Sequence, residues 1–576
     1  MQFNSIPFLF YFLPAFLAVY YLTPRRGRSA VLAAASCLYY YLACGRQIWP
    51  VAVLLEVTGL TFLLGLLLKK WRSGVLLAVS ILMPVGLLVF FKCHQGGKML
   101  PPGMSFYCFQ LAAYLIDVYR KKCPEERSPF RFAAQILQFP KLLSGPLAEP
   151  RKLQLESQSP CLCPYAIHHG LQELILGLAM KVLLADRLGG LWAETAVAGY
   201  GGISTSLAWL ALLAYALRLY FDFYSYSLMA MGLGRLVGYH LPRNFLDPYA
   251  SVTVSEFYRR WHATLGRWFR EYVYIPLGGS RKGWKRTAVN LAIVWALTGF
   301  WHGNGGNYLL WAGFLLALIL LEKLFWGKVC RKVPLLGHLY TIFAILISWV
   351  PFAIGDRAKM TVFLGKLFGM GCAVNPLDYR MVGRAYLPYL IAGVLLAMPW
   401  LPRLVRKIQK YWIADVLLFL LFWVCVRHGH QCGKSLPVFP ILKGVRFHEK
   451  TTDYIRLGTG SVGTGLERGG VLLQIRRSAA LWAGSGPIRP GDPNSAADRQ
   501  RETPGAAAAG AGPGHGPDHG ADYGTDDGAN YGPHGAGDGT DYGSHNGADN
   551  RTHHRAAYGT HHPADGDGWQ GGRKLV

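Results

Sequence analysis

Two apolar runs, IWPVAVLLEVTGLTFLLGLLL at 48–68 and GVLLAVSILMPVGLLVFF at 74–91, are separated only by Lys69-Lys70-Trp71-Arg72-Ser73. Each run is about the length that carries an α-helix across the hydrocarbon of a bilayer. Runs of this kind recur outward from this pair, near 6–22, 29–44, 170–190, 204–224, 286–301, 308–326, 338–354, 386–400 and 411–426. The 576-residue chain is 52% hydrophobic, with a mean hydropathy of +0.22. The spacing therefore predicts an all-α, polytopic transmembrane helical bundle with about 11 spans. Segments 104–119 and 134–147 are apolar but broken by Pro and Gly, and read as re-entrant or interfacial pieces. At membrane depth such pieces are tolerated only when packed in protein or lining a cavity. The first run has no basic stretch before it and more spans follow, so it reads as a span and not as a cleaved signal.

The basic residues give the orientation. Arg25, Arg26 and Arg28 follow the first run, and Lys69, Lys70 and Arg72 follow the third, while the loop between the second and third holds only Arg46. Under the positive-inside rule the N-terminus is outside and these clusters are cytoplasmic. Arg281, Lys282, Lys285 and Arg286 form another cluster, as do Arg403, Arg406, Lys407 and Lys410. The net charge of +27 is thus a topology signal carried by short loops, which argues against nucleic acid as a partner. The 11 cysteines are scattered, with one CxC at Cys161 and Cys163 and no CxxC, so neither a disulfide framework nor a zinc site is expected.

The membrane domain is expected over 1–430. Beyond it, 431–576 changes character, and 505–571 is rich in Gly, Ala, Asp, His and Tyr, with near-repeats of Ala-Asp-Tyr-Gly. Such composition reads as disordered, and eight of the chain's 18 histidines lie there, which also fits weak metal binding. A frameshift accounts for the segment more simply. Ser435–Gly444, written TCC CTT CCT GTA TTT CCA ATT CTG AAG GGG and preceded by AA, reads in another frame as Asn-Pro-Phe-Leu-Tyr-Phe-Gln-Phe-stop. That stop falls just past the last span.

Four places carry residues suited to chemistry. In Trp295-Ala-Leu-Thr-Gly-Phe-Trp301-His302-Gly303-Asn304 a histidine sits within an apolar run, where an ionisable group is costly unless it faces a cavity or a partner. Gly299, Gly303, Gly305 and Gly306 beside it leave the backbone open to a ligand, and Asn304 and Asn307 offer polar contacts. A buried histidine bonded to a neighbouring helix is the plain alternative, with Trp301 and Trp311 as packing aromatics. The run 253–273 has helical spacing, with Phe257, Trp261, Leu265 and Trp268 on one stripe and a capping box from Thr253 to Glu256. It carries His262 among Arg259, Arg260, Arg267 and Arg270, and reads either as an interfacial amphipathic helix or as a wall for a phosphate-rich ligand. Asp117, between Tyr114 and Tyr119, needs a partner and fits an orienting or helix-pairing role. Asp222, in Tyr220-Phe-Asp-Phe-Tyr224, is a membrane-depth carboxylate that calls for a basic or hydroxyl partner.

In chain order these segments are Leu100–Phe106, Tyr114–Tyr119, Phe139–Pro146, Phe221–Phe223, Asn244–Tyr249, Glu256–His262, Tyr274–Gly279 and Trp301–Gly303. Together they resemble the membrane-bound O-acyltransferases, and most closely the alginate O-acetylation branch. Two departures stand out. Tyr224-Ser225-Tyr226-Ser227-Leu228 replaces the usual Ser-Gly-Tyr-Ser-Asp, and Asn304-Gly-Gly-Asn307 follows Trp-His-Gly. The resemblance implies a helical bundle with a central funnel, with His302 as the catalytic histidine and His262 as a second histidine of the site. The reaction it implies moves an acyl group, acetyl in that branch, from a cytoplasmic thioester such as acetyl-CoA to a hydroxyl of a cell-surface polysaccharide. His302 would serve as general base, and transfer would occur directly or through an extracytoplasmic acetyltransferase partner. It implies a multi-pass protein of the cell membrane with no bound cofactor and no metal. The other readings are D-alanyl transfer to teichoic acid, a polysaccharide or lipid transporter, whose inverted repeats are not visible here, and a non-catalytic scaffold of an export complex. The family's usual ending resembles the Asn-Pro-Phe-Leu-Tyr-Phe of the alternative frame. Sequencing the DNA over codons 420–445 is expected to show that a single-base change restores that short ending; if no such change does, the frameshift is refuted.

Overall fold

The computed structural model describes residues 1–94 and 99–431. The tail beyond, and with it the frameshift reading, lies outside the described residues. Every regular element among the described residues is a helix, as the apolar periodicity requires. The chain opens with α1 (Pro7–Leu22), α2 (Arg28–Ala43), α3 (Trp49–Lys70), α4 (Gly74–Cys93) and α5 (Met104–Tyr119). Three short helices follow, α6 (Pro129–Leu137), α7 (Phe139–Leu142) and α8 (Pro150–Gln158). Next, α9 (Pro164–Ala179) runs through a π-helical turn, Met180–Ala185, into α10 (Asp186–Ala198), and α11 (Thr205–Leu236) extends for 32 residues. Two short helices, α12 (Val254–Arg260) and α13 (Ala263–Phe269), precede α14 (Gly283–His302). The rest is α15 (Gly306–Leu321), α16 (Gly327–Lys332), α17 (Pro334–Ala353), α18 (Arg357–Leu367), α19 (Asp378–Ala397), α20 (Trp400–Ile408) and α21 (Trp412–Gln431).

Five helical stretches are long and apolar enough to cross a membrane: α3, α4, α11, the continuous Gly306–Lys332, and α17. The other six expected positions are helical too, but α2, for example, has only 16 residues and reaches about 24 Å at 1.5 Å per residue. The structure therefore supports a multi-pass helical membrane protein without fixing the count at 11. The outward faces agree with a lipid solvent. Leu60, Leu63, Val75, Val79, Leu82 and Phe90 on α3 and α4 are exposed, as are Leu335, Leu339 and Phe343 on α17. Water would penalise such a surface, whereas lipid accepts it.

The interior is built on α5 and α11. Residues Met104 to Val118 of α5 are all buried, so this expected re-entrant piece lies inside the protein. The 134–147 segment is likewise packed inside, with Phe139 at 0% exposure among Phe3, Phe8, Phe12, Phe16 and Tyr39. Between α9 and α11 the backbones touch. A Cβ on Gly170 would lie 2.8 Å from the carbonyl oxygen of Gly232, and one on Gly177 would lie 2.7 Å from that of Ser225. In a bilayer, where lipid is as apolar as leucine, such close packing of small residues is what joins helices. The same joint holds the one partner the sequence demanded for Asp222. Lys181 donates to Asp222 Oδ1 and to Asp186 Oδ1, each at 2.7 Å, with the lysine and Asp222 side chains 3% and 5% exposed. A cation at this depth with two carboxylates is compensated; with neither it would be very costly.

Replacing Gly232 by Ala drives a methyl into the Gly170 carbonyl. The expected cost is about 1–3 kcal/mol of over-packing, read as a lower melting temperature of the purified protein in detergent; an unchanged melting temperature would contradict this packing.

Candidate active site

The stripe Phe257, Trp261, Leu265 and Trp268 does turn inward, but the run 253–273 is not one helix. Thr253 Oγ1 accepts the Glu256 N–H at 3.1 Å, and Glu256 Oε2 accepts the Val252 N–H at 3.1 Å, so the expected capping pattern forms. Glu322 adds its carboxylate to the same helix end, accepting from the Val254 and Ser255 N–H groups at 2.6 and 2.9 Å. The helix then stops at Trp261, which is extended (φ −88°, ψ 124°), and His262 takes a left-handed conformation (φ 47°, ψ 48°) before α13 begins. Periodicity cannot register this break, because the stripe is kept on both sides of it. A non-glycine residue held left-handed stores strain and points to a local demand on its side chain.

That side chain enters a cage of rings. His262 is 6% exposed, edge-on to Phe223 (centroids 4.7 Å apart), stacked toward Phe106 (6.4 Å) and 6.0 Å from Trp301. Burial pulls its pKa well below the ordinary histidine value, which holds the imidazole neutral. Its Nδ1 lies 3.2 Å from Asn244 Oδ1, and its Nε2 is buried without a hydrogen-bond partner. Asn244, 1% exposed, also receives the Thr264 hydroxyl on Oδ1 at 2.5 Å, donates from Nδ2 to Ser227 Oγ at 3.0 Å, and accepts the Ala263 N–H on its backbone carbonyl at 2.8 Å.

His302 is the last residue of α14 and is partly exposed. Its ring meets Trp301 (4.5 Å), Trp311 (4.9 Å), Phe352 (5.0 Å) and Tyr308 (6.4 Å), and its Nδ1 is buried without a partner, as is Trp301 Nε1. The structure thus brings both expected histidines to the same tryptophan. Lys92, on α4, fixes the helix end. Its ammonium donates to the Trp301 carbonyl and lies 5.3 Å from the Phe300 ring centre, while Asn304 Nδ2 donates back to the Lys92 carbonyl.

Gly299 and Gly303 do not leave the backbone open to a ligand as expected. A Cβ on Gly303 would collide with the Tyr308 ring, and one on Gly299 would come within 3.0 Å of the Tyr308 carbonyl and the Ala312 methyl. They admit α15 to α14. Asn304 and Asn307 are likewise occupied, by the carbonyls of Lys92 and Pro351. Asp117 pairs with the Tyr272 hydroxyl at 2.9 Å, joining α5 to the turn after α13, as an orienting residue would. Arg259, Arg267 and Arg270 are exposed, and Arg260 is tied to Glu256 at 2.6 Å. Sequence reasoning passed over Thr264 and Lys92, and named Asn244 and Ser227 only as members of motifs, with no role for either. Of these only Lys92 carried a signal of its own, a lone cation ending an apolar run.

With this geometry in place, comparison with known proteins is decisive. The probable alginate O-acetylase AlgI of Pseudomonas fluorescens is 34% identical over 412 residues, covering 69% of this chain and 80% of that protein. This chain belongs to the membrane-bound O-acyltransferase family. The family's sequence profile matches residues 201–361, which hold α11, the broken helix, His262 and His302. The peptidoglycan O-acetyltransferase of Helicobacter pylori is 29% identical over 419 residues (62% of this chain, 77% of that protein). The teichoic acid D-alanyltransferase of Lacticaseibacillus rhamnosus is 29% identical over 243 residues (39% and 60%). The chain is accordingly a membrane-bound O-acyltransferase, and the cage around Trp301, with its two imidazoles, is the candidate site within it.

Lys92→Met frees the Trp301 carbonyl and loosens the end of α14. A displacement of the His302 ring by about 1 Å is expected to lower kcat/KM by roughly 10²-fold, while Lys92→Arg recovers part of the loss. Steady-state kinetics of the two variants check this.

Proposed function

We propose that the protein transfers an acetyl group from a cytoplasmic thioester, acetyl-CoA, to a hydroxyl of an extracytoplasmic polysaccharide at the cell membrane, with His302 as general base. One observation carries the reading. His302 Nδ1, His262 Nε2 and Trp301 Nε1 are three buried polar atoms without a protein partner around one indole, in a chain of the O-acyltransferase family. An orphaned buried polar group costs about 1–3 kcal/mol, and few survive in native proteins. A bound substrate with a hydroxyl and a carbonyl would complete all three.

The chemistry follows from the groups at hand. A sugar hydroxyl is a poor nucleophile until its proton is taken, and a neutral imidazole suits that task near neutral pH. As the hydroxyl oxygen bonds to the thioester carbonyl carbon, its proton passes to His302. The carbonyl oxygen gains the electron pair, and the unpaired Trp301 N–H would donate to that charge. The C–S bond then breaks, the sulfur leaves with its electron pair, and the proton on His302 can follow it. Position helps: His302 ends a 20-residue helix, and the carbonyl end of a helix favours a positive charge by ~0.3–1 kcal/mol. The exposed Arg267, Arg270, Arg281, Lys282, Lys285 and Arg286 suit the phosphates of the coenzyme. Acetyl follows the O-acetylating relatives, and delivery to the polysaccharide is direct or through an extracytoplasmic acetyltransferase partner.

D-alanyl transfer to teichoic acid is the second reading, favoured by the D-alanyltransferase relative. It uses the same thioester chemistry and the same base, so the donor distinguishes the two. In purified membranes, His302→Ala is expected to lower acetyl transfer from acetyl-CoA by about 10²–10⁴-fold. Near-normal turnover in the folded variant would refute His302 as base. Turnover that requires a D-alanyl carrier thioester in place of acetyl-CoA would favour the second reading.

A further inference from the structure

The atoms around Asn244 determine which nitrogen of His262 carries the proton. Thr264 Oγ1 accepts the Leu147 N–H at 3.2 Å and donates its single hydroxyl proton to Asn244 Oδ1, 2.5 Å away. The Asn244 carboxamide thus turns its carbonyl Oδ1 toward Thr264. The amide NH₂ faces the other way, toward Ser227 Oγ at 3.0 Å. The same Oδ1 faces His262 Nδ1 at 3.2 Å, and an oxygen with two lone pairs takes two donors. His262 Nδ1 must then be the protonated nitrogen. That leaves Nε2 as a bare acceptor, buried beside Trp301.

Resting on the acyltransferase reading above, we propose that Asn244 is a positioning residue that locks His262 in the Nδ1–H tautomer, so that Nε2 accepts a hydrogen bond from a hydroxyl of the incoming sugar. The lock works through the main chain as well. The Ala263 N–H donates to the Asn244 carbonyl at 2.8 Å and the Leu246 N–H to the Arg260 carbonyl at 3.0 Å, so segment 244–246 is laced to both sides of the left-handed turn. The tautomer, the ring direction and the backbone strain at His262 thus share one cause. The tautomer also has a consequence for the ligand. An acceptor atom at the wall of a dry cage selects a group that brings a proton, such as a polyol, and turns away an ester or ether oxygen at that point. An acceptor already acetylated at the neighbouring hydroxyl would lose this contact.

The groups that face His262 are Phe106 from α5, Phe223 from α11 and Trp301 from α14, all uncharged. The titratable neighbour is His302, which also contacts Trp301, and Lys92 is held on the Trp301 carbonyl.

The test reads the tautomer directly. The full chain, labelled with ¹⁵N-histidine and held in lipid nanodiscs, gives spectra in which protonated and bare ring nitrogens differ; subtracting the His262→Gln spectrum isolates His262. The expected wild-type signal is a protonated Nδ1 and a bare Nε2, and in Asn244→Leu that signal shifts toward the other tautomer. With acetyl-CoA as donor and alginate oligosaccharide as acceptor, Asn244→Leu is expected to lose on the order of 10²-fold in kcat/KM. Asn244→Asp keeps an acceptor for Nδ1–H and retains activity. Its carboxylate favours the imidazolium, so the acid limb of kcat/KM moves to higher pH by about one unit or more. A packing role alone would leave that limb in place. A protonated Nε2 in the wild type, an unchanged tautomer in Asn244→Leu, or an Asn244→Asp profile that matches the wild type would overturn the proposal. If Asn244→Leu does not fold, the wild-type spectrum and the Asn244→Asp profile decide. If no variant or wild type turns over acetyl-CoA, the acyl-donor reading fails while the tautomer spectra still judge the lock.

Discussion

Inside a bilayer no water satisfies a backbone amide, and this constraint shapes every part of the molecule. It makes helices of all regular elements, and it makes each departure from helix expensive. The chain departs from helix around the active site, between α11 and α12 and again at Trp261–His262. There the freed amides are met one by one: Leu246 by the Arg260 carbonyl, Ala263 by the Asn244 carbonyl, Val252 by Glu256, and Val254 and Ser255 by Glu322. The break is stable because protein has replaced water at each position. What the protein gains is a histidine directed across the helix bundle instead of along a helix face.

The same solvent explains how the buried charges are treated. Lys181 is held between Asp186 and Asp222, Asp117 is given a phenol, and Glu126 is surrounded by Arg131, Gln135 and the Ser128 amide. Burial alone would push the Glu126 carboxyl up, but these partners outweigh it and hold it below the usual carboxylate range. The unpaired atoms around Trp301 belong to a wider set among the described residues that includes Trp311 Nε1, Trp349 Nε1 and the Tyr258 hydroxyl; what singles them out is that two of the three are imidazole nitrogens against one indole.

Much of this was legible in the sequence. Apolar run length gave the helical membrane class, because bilayer thickness acts on composition directly. The isolated cost of a membrane-depth ion singled out His302, Asp222 and Asp117, and two of these three have the partners that cost demands. The motifs placed His262 in the site. The break beside it was hidden, because Phe257, Trp261, Leu265 and Trp268 keep helical spacing across a turn that reverses the chain's hand at one residue. The glycines near His302 were misjudged, since openness to a ligand and openness to a neighbouring helix look alike in one dimension. Asn244 was visible as the start of a motif, but its role and that of Thr264 were hidden for a different reason. Their role arises from contacts made across 17 to 20 positions of chain, Asn244 to Ser227 and to Thr264, and small polar residues in loops carry no pattern that announces such contacts.

Only 17% of the most apolar window of α4 is buried, so this helix lies largely against lipid, yet its last turn holds the carbonyl that precedes His302. The membrane and His302 are therefore mechanically in series. A helix whose apolar length is mismatched to the bilayer tilts to recover the fit, and a tilt of α4 pulls on the end of α14. Lipid thickness becomes, through one lysine, a variable of the geometry around His302.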